Sequence, residues 1–441
     1  MSAPEKPARY AYFVLLVLFF ANLMNYVDRF VLSAVLPLIE KDWGISSTMQ
    51  GNLSSAFTVG FMIAAPFVGA MADRRSRTRI VAVCVFVWSL ATVGAGLAPT
   101  VWWMLLFRVV IGLGEAGLLV VGPTLVADSF PRSARSRALA VFYLGTPLGG
   151  AFGYGLGGTL GEAFGWRTPL VVAGVVGILP TVLIWLMREP ARGAYDPADP
   201  HAAAHGHGKG GSWGEYRGLA RNRTFLLIVL CLAAASCAGT PLMHFLPSYM
   251  LKVRGTPLDT GSLQVGIVAA IAGTLGNIAF GMAADRLSRR TRRAHAGLAA
   301  AAYLLAYPCI LAGLYAPHPA LYLGGLGLGI FLVFGALTTL NTLVANVTRP
   351  AIRAMANSAL IFCMHLFGDT FSPPAFGRVL DVVGQERGFF FMTLPFALSG
   401  GACLVALFTV ERDLRRVAGE SGAAETGPQV QEPQINTDEH R

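Results

Sequence analysis

Long apolar runs constrain this sequence of 441 residues more than any other feature. A helix crosses the hydrocarbon core of a bilayer when about twenty consecutive residues are predominantly apolar. Hydrophobic residues make up 54 % of the chain and charged residues only 13 %, a composition that excludes a soluble globular protein of this length. The sequence therefore predicts an all-α membrane protein with about twelve transmembrane helices. They lie near residues 11–36, 50–72, 79–98, 101–127, 136–163, 168–187, 224–250, 262–284, 296–316, 320–346, 354–376 and 388–410.

Basic residues are distributed unevenly between the two sides of the predicted membrane. The formal net charge is +10, and 26 of the 34 Lys and Arg residues fall in the termini and in the alternate loops on the same side. Only 6 fall in the loops on the other side. Loops rich in Lys and Arg stay in the cytoplasm during insertion. We therefore expect a multi-pass protein of the cytoplasmic (inner) membrane with both termini cytoplasmic, and the positive charge requires no nucleic acid partner.

The chain contains an internal repeat. Residues 69–77 read Gly-Ala-Met-Ala-Asp-Arg-Arg-Ser-Arg, and residues 281–289, 212 positions later, read Gly-Met-Ala-Ala-Asp-Arg-Leu-Ser-Arg. Residues 125–128 (Leu-Val-Ala-Asp) return as Leu-Val-Ala-Asn at 343–346, 218 positions later. Duplicated bundles are common in transporters. The repeat predicts two pseudo-symmetric six-helix bundles in the same orientation, with a cytoplasmic linker between them and a disordered cytoplasmic tail. The predicted boundaries are 1–190, 191–221, 222–417 and 418–441.

Each copy of the repeated turn places an acid and several arginines at the cytoplasmic end of a helix. Asp73 is positioned to accept from the amide groups of a helix that starts near Ala351, and Asp285 from a helix that starts near Ser133. Such contacts would close the cytoplasmic side and break when it opens. If both turns were only basic anchors for lipid phosphates, an acid would not be needed at the same place twice. The predicted cytoplasmic gate comprises Asp73, Arg74, Arg77, Arg135, Asp285, Arg286 and Arg353.

Four charged residues of the first half lie deep inside predicted membrane spans. Asp28 and Arg29 are in the first span, and Arg108 and Glu115 lie two turns apart on one face of the fourth. A charge at the centre of a membrane helix costs about 2.5 kcal/mol or more, so such residues usually face a protein interior or an aqueous path. We expect one charge cluster in which Arg29 reaches toward Glu115. A solute site is favoured over the alternative, a structural ion pair that only fixes helix packing.

The second half offers fewer polar residues at membrane depth. His365 and Asp369 are four residues apart on one face of the eleventh span, where either could transfer a proton or contact a headgroup, and structural pairing is an equal alternative. His244 and Asn341 are weaker candidates, because a lone polar residue in a bundle most often satisfies an interhelical hydrogen bond. Five aromatic residues could line a slot for an acyl chain or face lipid instead: Phe331, Phe334, Phe362, Phe367 and Phe371.

The sequence shows no catalytic or metal-binding pattern. A Gly-x-Gly-x-x-Gly string at residues 112–117 lies in mid-span without a βαβ pattern, so it predicts close helix packing and not a dinucleotide site. The six cysteines fall in apolar spans without CxxC spacing, and the three histidines of residues 201–207 lack ordered partners. We expect no enzyme, no cofactor and no metal. A glycine stripe in the fifth span is expected to pack against a helix of the other half: Gly145, Gly149, Gly153, Gly157 and Gly161.

The repeated Gly-x-x-x-Asp-Arg-x-x-Arg turn, the six-plus-six layout and the central loop resemble the major facilitator superfamily over nearly the whole chain. A narrower resemblance, to the Spinster family, rests on residues 25–29 (Asn-Tyr-Val-Asp-Arg) and 114–116 (Gly-Glu-Ala). It is extended by Pro123, Thr124, Asp128, Phe130, Arg135, Phe142, Tyr143, Pro147, Gly153 and Tyr154. Members of that family move lysophospholipids and sphingosine-1-phosphate-type lipids, and proton coupling is proposed for some. The resemblance implies an amphiphilic anionic lipid as substrate.

On these grounds we expect a monomeric secondary transporter that works by alternating access and is coupled to protons. Its partners would be an amphiphilic anionic lipid, protons and the bilayer. The alternative is a proton-coupled symporter of a small organic anion or sugar phosphate, which would have a closed polar cavity. Predicted substrate contacts are Arg29, Arg108, Asn25, Tyr26, His365 and Asn341, the arginines attracting a phosphate group. Predicted proton-coupling acids, whose proton occupancy depends on which side is open, are Asp28, Glu115 and Asp369.

Overall fold

The computed structural model describes residues 9–195, 218–348 and 352–425, and the long elements in those ranges are all helices. The first half contains α1 Arg9–Trp43, α2 Ser47–Arg74, α3 Arg77–Gly96, α4 Val101–Ser129, α5 Arg132–Phe164 and α6 Arg167–Leu186. The second half contains α7 Arg223–Lys252, α8 Leu258–Ser288, α9 Ala294–Tyr315, α10 Pro319–Val347, α11 Arg353–Cys363, a π-helix Met364–Thr370, α12 Ser372–Val383 and α13 Gln385–Glu425. Among the described helices, 11 are long and apolar enough to cross a membrane. With the interrupted eleventh span they confirm the predicted all-α membrane fold.

The eleventh span is divided because two prolines, Pro373 and Pro374, follow the π-helix. Proline has no N–H to donate, and its ring clashes with the preceding turn, so two adjacent prolines disrupt the regular helix at this point. Side-chain hydroxyls take the place of missing backbone donors. The hydroxyl of Ser372 donates to the carbonyl of Gly368, and that of Thr370 donates to an earlier carbonyl of the same turn at 2.9 Å. The break therefore places the π-helix at mid-membrane, where π-helical turns are frequently functional.

Glycines allow helices of the first half to approach closely. Gly112 of α4 lies against the backbone of α2, and Gly60 of α2 lies against the backbone of α4, where a Cβ would collide. The glycine stripe of α5 packs on α1 of its own half, as Gly149 does on the backbone of Leu23. The expected contact with the other half is therefore wrong for this stripe. A period of four marks the face where two helices come closest, but it does not identify the neighbour. A different face of α5, which includes Gly158, contacts α8.

The two halves pack together toward one end of the molecule. We call the end that carries Arg9 and the arginine-rich turns the basic face, and the other end the opposite face. The halves join through α1 with α7, α2 with α12 and α5 with α8. Near the opposite face, Lys252 Nζ donates to Glu40 Oε1 at 2.6 Å across the halves, and nearer the middle Tyr154 Oη donates to the Met243 carbonyl at 2.6 Å. The structure is thus closed at the opposite face.

At the basic face, Arg77 ties together three segments of the first half. Its Nη1 donates to Asp128 Oδ2 at 2.5 Å and its Nε donates to Glu189 Oε1 at 3.1 Å. Partial burial raises the pKa of Glu189, but the hydrogen bonds from Ser76 and Arg77 lower it more strongly, so the pKa lies below its ordinary value. Arg192 completes this arrangement by donating to carbonyl groups at the end of α2. Arg77 therefore braces its own half.

The predicted contact of one gate acid, Asp285, is not formed in this structure. Asp73 and Asp285 are exposed, and the structure describes no hydrogen bond between Asp285 and Ser133. Ala351, the predicted partner region of Asp73, lies outside the described residues. Arg74, Arg286 and Arg353 are exposed, and Arg135 is half-buried. Because the predicted contacts belong to a state closed at the basic face, the cytoplasmic gate stays a prediction.

The domain boundaries are described only in part. Residues 196–217, which form most of the predicted linker and carry its three histidines, lie outside the described residues, as do residues 426–441. Helix α13 continues to Glu425, so residues 418–425 form helical backbone where a disordered tail is expected.

Candidate functional site

A cavity of about 350 Å³ lies between the two halves at mid-membrane depth. It is enclosed by α1, α2 and α4 on one side and by α7, α9, α10, the π-helix and α13 on the other. Both halves contribute polar and apolar side chains, so the cavity lies on the boundary along which the halves meet. The polar and charged side chains that line it are Tyr26, Arg29, Ser33, Ser54, Thr58, Arg108, Ser236, Thr240, His244, Tyr303, His365 and Asp369.

Arg29 forms the direct ion pair of the predicted charge cluster. Its Nε donates to Glu115 Oε2 at 2.8 Å, from α1 to α4. The guanidinium carbon lies 5.0 Å from the centre of the Tyr26 ring and 4.5 Å from that of the Phe57 ring. The Arg29 side chain is 23 % exposed, whereas that of Glu115 is fully buried. The predicted contact between Arg29 and Glu115 is present, and Arg29 stands between this sealed carboxylate and the cavity.

Arg108 reaches the cavity from α4 but takes a different partner. Its Nε donates to the carbonyl of Leu53 at 3.1 Å, and its guanidinium carbon lies 4.9 Å from the centre of the Phe57 ring. Phe57 is thus in contact with both arginines. An aromatic ring attracts a nearby cation by about 0.5–1 kcal/mol at exposed sites and more when water is excluded. Phe57 therefore holds Arg29 and Arg108 near each other without supplying a negative charge.

Asp28, Glu115 and Asn25 lie behind the cavity wall and do not line it. Asp28 Oδ2 accepts from the Thr92 hydroxyl at 3.0 Å. One carboxylate oxygen of each acid and both polar atoms of the Asn25 side chain are buried without a hydrogen-bond partner among the described residues. Buried polar groups without partners are costly, and they are usually satisfied by a proton or a buried water. The cluster is therefore split into two arginines at the cavity and two acids sealed behind them.

Asp369 organises the polar part of the second half. Its Oδ2 is 2.6 Å from Nδ1 of His365, and its Oδ1 accepts from Thr240 at 2.7 Å and from the hydroxyl of Ser236. His365 and Asp369 lie on the π-helix, and the two hydroxyls come from α7. The predicted pairing on one face of the eleventh span is thus found. Ser236 and Thr240 escaped prediction because hydroxyl residues are common in membrane helices, although their spacing of four residues places them on one face of α7.

His244 of α7 joins the second half to the first between the cavity and the opposite face. Its Nε2 lies 3.0 Å from the carbonyl oxygen of Gln50, and its Nδ1 lies 3.1 Å from the hydroxyl of Ser33. A carbonyl oxygen only accepts, so Nε2 carries the proton and Nδ1 of the neutral ring accepts from Ser33. His244 therefore makes an interhelical hydrogen bond, the role that the sequence analysis gave as the usual one for a lone polar residue in a bundle.

Most of the remaining cavity surface is apolar, and much of it comes from the second half. Of the five aromatic candidates, Phe334 lines the cavity, and Phe331 packs instead on Phe280 with ring centres 5.7 Å apart. The other three, Phe362, Phe367 and Phe371, are 51 to 61 % exposed on the outer surface. Asn341 is also exposed and does not line the cavity. The apolar wall of the second half includes Leu232, Ile310, Ile330, Val333, Phe334, Leu337 and Phe396.

No group of three or more His, Cys, Asp or Glu side chains among the described residues is arranged to hold a metal ion. The charged groups of the cavity are instead paired with one another or with hydroxyl, carbonyl and aromatic groups. The site can therefore bind an anion at the two arginines and exchange protons at carboxyl and imidazole groups. Its apolar wall can hold an apolar group of a ligand.

Sequence comparison identifies relatives along nearly the whole chain. The profile of the Major Facilitator Superfamily matches residues 18–368. Protein spinster homolog 1 of Bos taurus is 31 % identical over 453 residues, covering 94 % of this chain and 84 % of the relative. The sphingosine-1-phosphate transporter SPNS2 of Xenopus tropicalis is 28 % identical, covering 90 % of this chain and 81 % of the relative.

Comparison with solved structures agrees with the observed fold. A bacterial homolog to the human lysosomal transporter Spinster, crystallised in an inward-facing and unoccupied conformation, matches with a TM-score of 0.84 at 22 % identity. The match covers 92 % of this chain and 99 % of that one. The inward-facing and occupied conformation of such a homolog gives a TM-score of 0.81 at 21 % identity.

Proposed function

Because the chain belongs to the Spinster family of the major facilitator superfamily, and so to a family of membrane transporters, we propose that it carries an anionic single-chain lipid by alternating access. The proposed substrate is a lysophospholipid or a sphingosine-1-phosphate-like lipid. The observation that carries this proposal is the division of the cavity into a part with two arginines and a part with an apolar wall. A relative named as a sphingosine-1-phosphate transporter supports the same class of substrate.

Arg29 and Arg108 bind the phosphate of the headgroup in this proposal. Each uses its Nε in the contacts of the described structure, so the terminal Nη groups can donate to a ligand in the cavity. Guanidinium groups form paired hydrogen bonds with phosphate oxygens, and such charge-assisted bonds are roughly twice as strong as neutral ones. Phe57 keeps both guanidinium groups on the same side of the cavity.

The acyl or sphingoid chain occupies the apolar wall of the second half. Its residues come mainly from α9, α10 and α13, across the cavity from the arginines. Burial of apolar surface contributes about 25 cal/mol per Å² removed from water. A long chain therefore gains binding energy that a small soluble anion cannot, and this favours lipid over the sugar phosphate alternative.

Glu115 and Asp28 couple transport to protons. Arg29 is shared between Glu115 and the cavity, so a proton on Glu115 would weaken the ion pair and release Arg29 toward a phosphate. Asp28 is the neighbour of Arg29 on α1. One of its carboxylate oxygens is buried without a partner among the described residues, so Asp28 is a second place for a proton. Asp369, across the cavity, completes the set of acids, and its protonation would change its bonds to His365 and Thr240.

The positive-inside rule supports a cytoplasmic basic face, with both termini on that side of the inner membrane. The state closed at the opposite face would then be closed toward the outside, and the substrate would enter or leave the cavity from the cytoplasm.

Flux in proteoliposomes tests the proposal. Arg108→Gln should lower the flux of a labelled lysophospholipid or of sphingosine-1-phosphate at least about tenfold, because a charge-assisted contact to phosphate is lost. Arg167→Gln is the matched control, since Arg167 also stacks on aromatic rings but lies at the opposite face, away from the cavity. Competition by soluble organic phosphates at the same concentrations would instead support the small-anion alternative.

Proton coupling has its own test. Glu115→Gln and Asp28→Asn should each abolish the flux that a pH gradient drives, while facilitated exchange of lipid persists. If both variants keep gradient-driven flux at the wild-type rate, the assignment of coupling to these acids is wrong.

A further inference from the structure

The opposite face is closed by a carboxylate from one half at the start of a helix from the other. Asp381, near the end of α12, accepts from the backbone N–H of Ser47 at 2.7 Å and from that of Thr48 at 3.0 Å. The Thr48 hydroxyl also donates to it at 2.6 Å. Ser47 is the first residue of α2, so these N–H groups have no partner within their own helix. A carboxylate of the second half thus caps a helix of the first half.

The reciprocal contact is present between α5 of the first half and α8 of the second half. Glu162, near the end of α5, accepts from the backbone N–H of Asp259 at 2.8 Å. Asp259 is the second residue of α8, which begins at Leu258. Here a carboxylate of the first half caps a helix of the second half. The two contacts are therefore equivalent with the roles of the halves exchanged.

A glycine accompanies each of these acids one turn earlier. Gly158 precedes Glu162 by four residues, and Gly377 precedes Asp381 by four. Both glycines touch the same helix start as their acid: a Cβ on Gly158 would lie 2.8 Å from the Leu258 carbonyl oxygen, and one on Gly377 would collide with the Ser47 carbonyl. The glycine lets the helices approach, and the acid then reaches the exposed N–H groups.

The spacing of these residues follows the internal repeat. The pairs 158 and 377, and 162 and 381, are each 219 positions apart, and Ser47 and Asp259 are 212 apart. These offsets agree with the 212 and 218 positions that separate the repeated turns of the basic face. A Gly-x-x-x-acid sequence is thus duplicated with the bundles.

We propose that Glu162 and Asp381 are the gating residues of the opposite face, a matched pair that stabilises the state closed there. The proposal rests on the alternating access proposed above. A carboxylate is attracted by the partial positive charge at a helix N-terminus, and it satisfies N–H groups that would otherwise need water. When the opposite face opens, α5 separates from α8 and α12 from α2, and both contacts break together. The two acids therefore set the balance between the two states without contacting the substrate.

Electron spin resonance distances across the opposite face test this role. Spin labels at Thr100→Cys and His318→Cys, two exposed positions on different halves, report the width of that face in a variant without the six native cysteines that keeps the wild-type melting temperature. Glu162→Gln and Asp381→Asn should each raise the ratio of long to short distances about tenfold, and the double variant should raise it further. Gly158→Val and Gly377→Val should shift the ratio the same way by wedging the helices apart.

Asp42→Asn is the matched control. Asp42 is a carboxylate at the same face, but it accepts from Trp166 and Arg167 of its own half, so its loss should leave the distance ratio unchanged. Unchanged ratios in all four gate variants, or an equal shift with Asp42→Asn, would overturn the proposal. The measurement needs no lipid and no flux. Failure of lipid transport therefore leaves this result intact, and failure of the gate leaves the substrate assignment intact.

Discussion

The first half faces the cavity with two arginines, Arg29 and Arg108, whereas the second half faces it with Asp369 and His365. The arginines are balanced by sealed acids, a backbone carbonyl and an aromatic ring. Asp369 is instead surrounded by the imidazole and two hydroxyls, on a π-helix. The contacts of the first half use a full charge pair in a regular bundle. Those of the second half use an imidazole and two hydroxyls at an interrupted helix.

This difference shows that duplication fixed the scaffold but not the site. The repeated turns, the helix order and the paired acids of the opposite face return at nearly constant offsets, whereas the cavity residues of the two halves do not correspond. An asymmetric cavity suits an asymmetric ligand, with a charged end against the first half and an apolar end against the second. The predictions that follow test whether the halves differ in the way proposed.

The largest effect is expected when the ion pair of the first half is broken. Arg29→Met leaves Glu115 buried without its partner, which costs about 3–5 kcal/mol for a buried pair. Arg29→Met combined with Glu115→Gln should recover much of this loss, because the uncompensated charge is removed. Thermal unfolding of the purified protein in detergent measures both. If the single variant is as stable as wild type, the first half is not held by this pair.

A smaller effect is expected in the second half. Asp369→Asn keeps one oxygen that can accept from Thr240 or Ser236 and should cost about 1.5–3 kcal/mol, the range for a hydrogen bond to a charged group. The same unfolding assay compares it directly with Arg29→Met. A loss of stability equal to that of Arg29→Met would contradict the proposed difference, because the second half would then depend on charge as strongly as the first.

Two aromatic residues of α2 allow the two sides of the cavity to be compared, because each contacts the polar group of a different half. Phe57→Leu should weaken binding of a phosphate-bearing lysolipid about fivefold, because about 1 kcal/mol of cation–π attraction holding the arginines is lost. Phe61→Leu is the matched variant, since Phe61 contacts the His365 ring instead, with ring centres 5.6 Å apart. It should change affinity less. Titration by tryptophan fluorescence compares them, and a larger effect of Phe61→Leu would assign the headgroup to the second half.

The smallest effect concerns the basic face, where the first half is braced by Arg77 and Glu189. Because the pKa of Glu189 is lowered in the folded protein, its contribution to stability is complete above the unfolded carboxyl value of about 4.3. That contribution is lost as the pH falls through the lowered pKa. Glu189→Gln should lower the melting temperature slightly at neutral pH and flatten the acid part of the profile, so that the two profiles converge at low pH. Glu411→Gln, at the Arg293 pair of the second half, should change the profile less, because that pair is more exposed.

Much of the fold follows from the sequence because membrane spans are long and apolar and because the repeated turn marks both halves. The interruption of the eleventh span could be suspected from Pro373 and Pro374, but the π-helix depends on hydroxyls that happen to satisfy the freed carbonyls. The neighbour of the glycine stripe was predicted wrongly because helix periodicity gives a face and not a partner.

The site was predictable where charge was conspicuous and not where it was absent. Arg29 and Glu115 could be paired by depth and reach, since the fold of a bundle brings α1 and α4 together. Phe57, Ser236, Thr240 and Thr92 carry no such signal, because aromatic and hydroxyl residues occur throughout membrane helices. Asn341 shows the converse, since a polar residue in a span can lie on the outer surface.

The prolines that follow the π-helix also divide the eleventh span into two parts with different contacts. On the side of the opposite face, α12 is held against α2. On the side of the basic face, the regular backbone hydrogen bonds are interrupted, so α11 and α12 do not form one continuous helix. The basic-face part of this span is therefore joined to α12 through an interrupted helix, and His365 and Asp369 lie at that interruption.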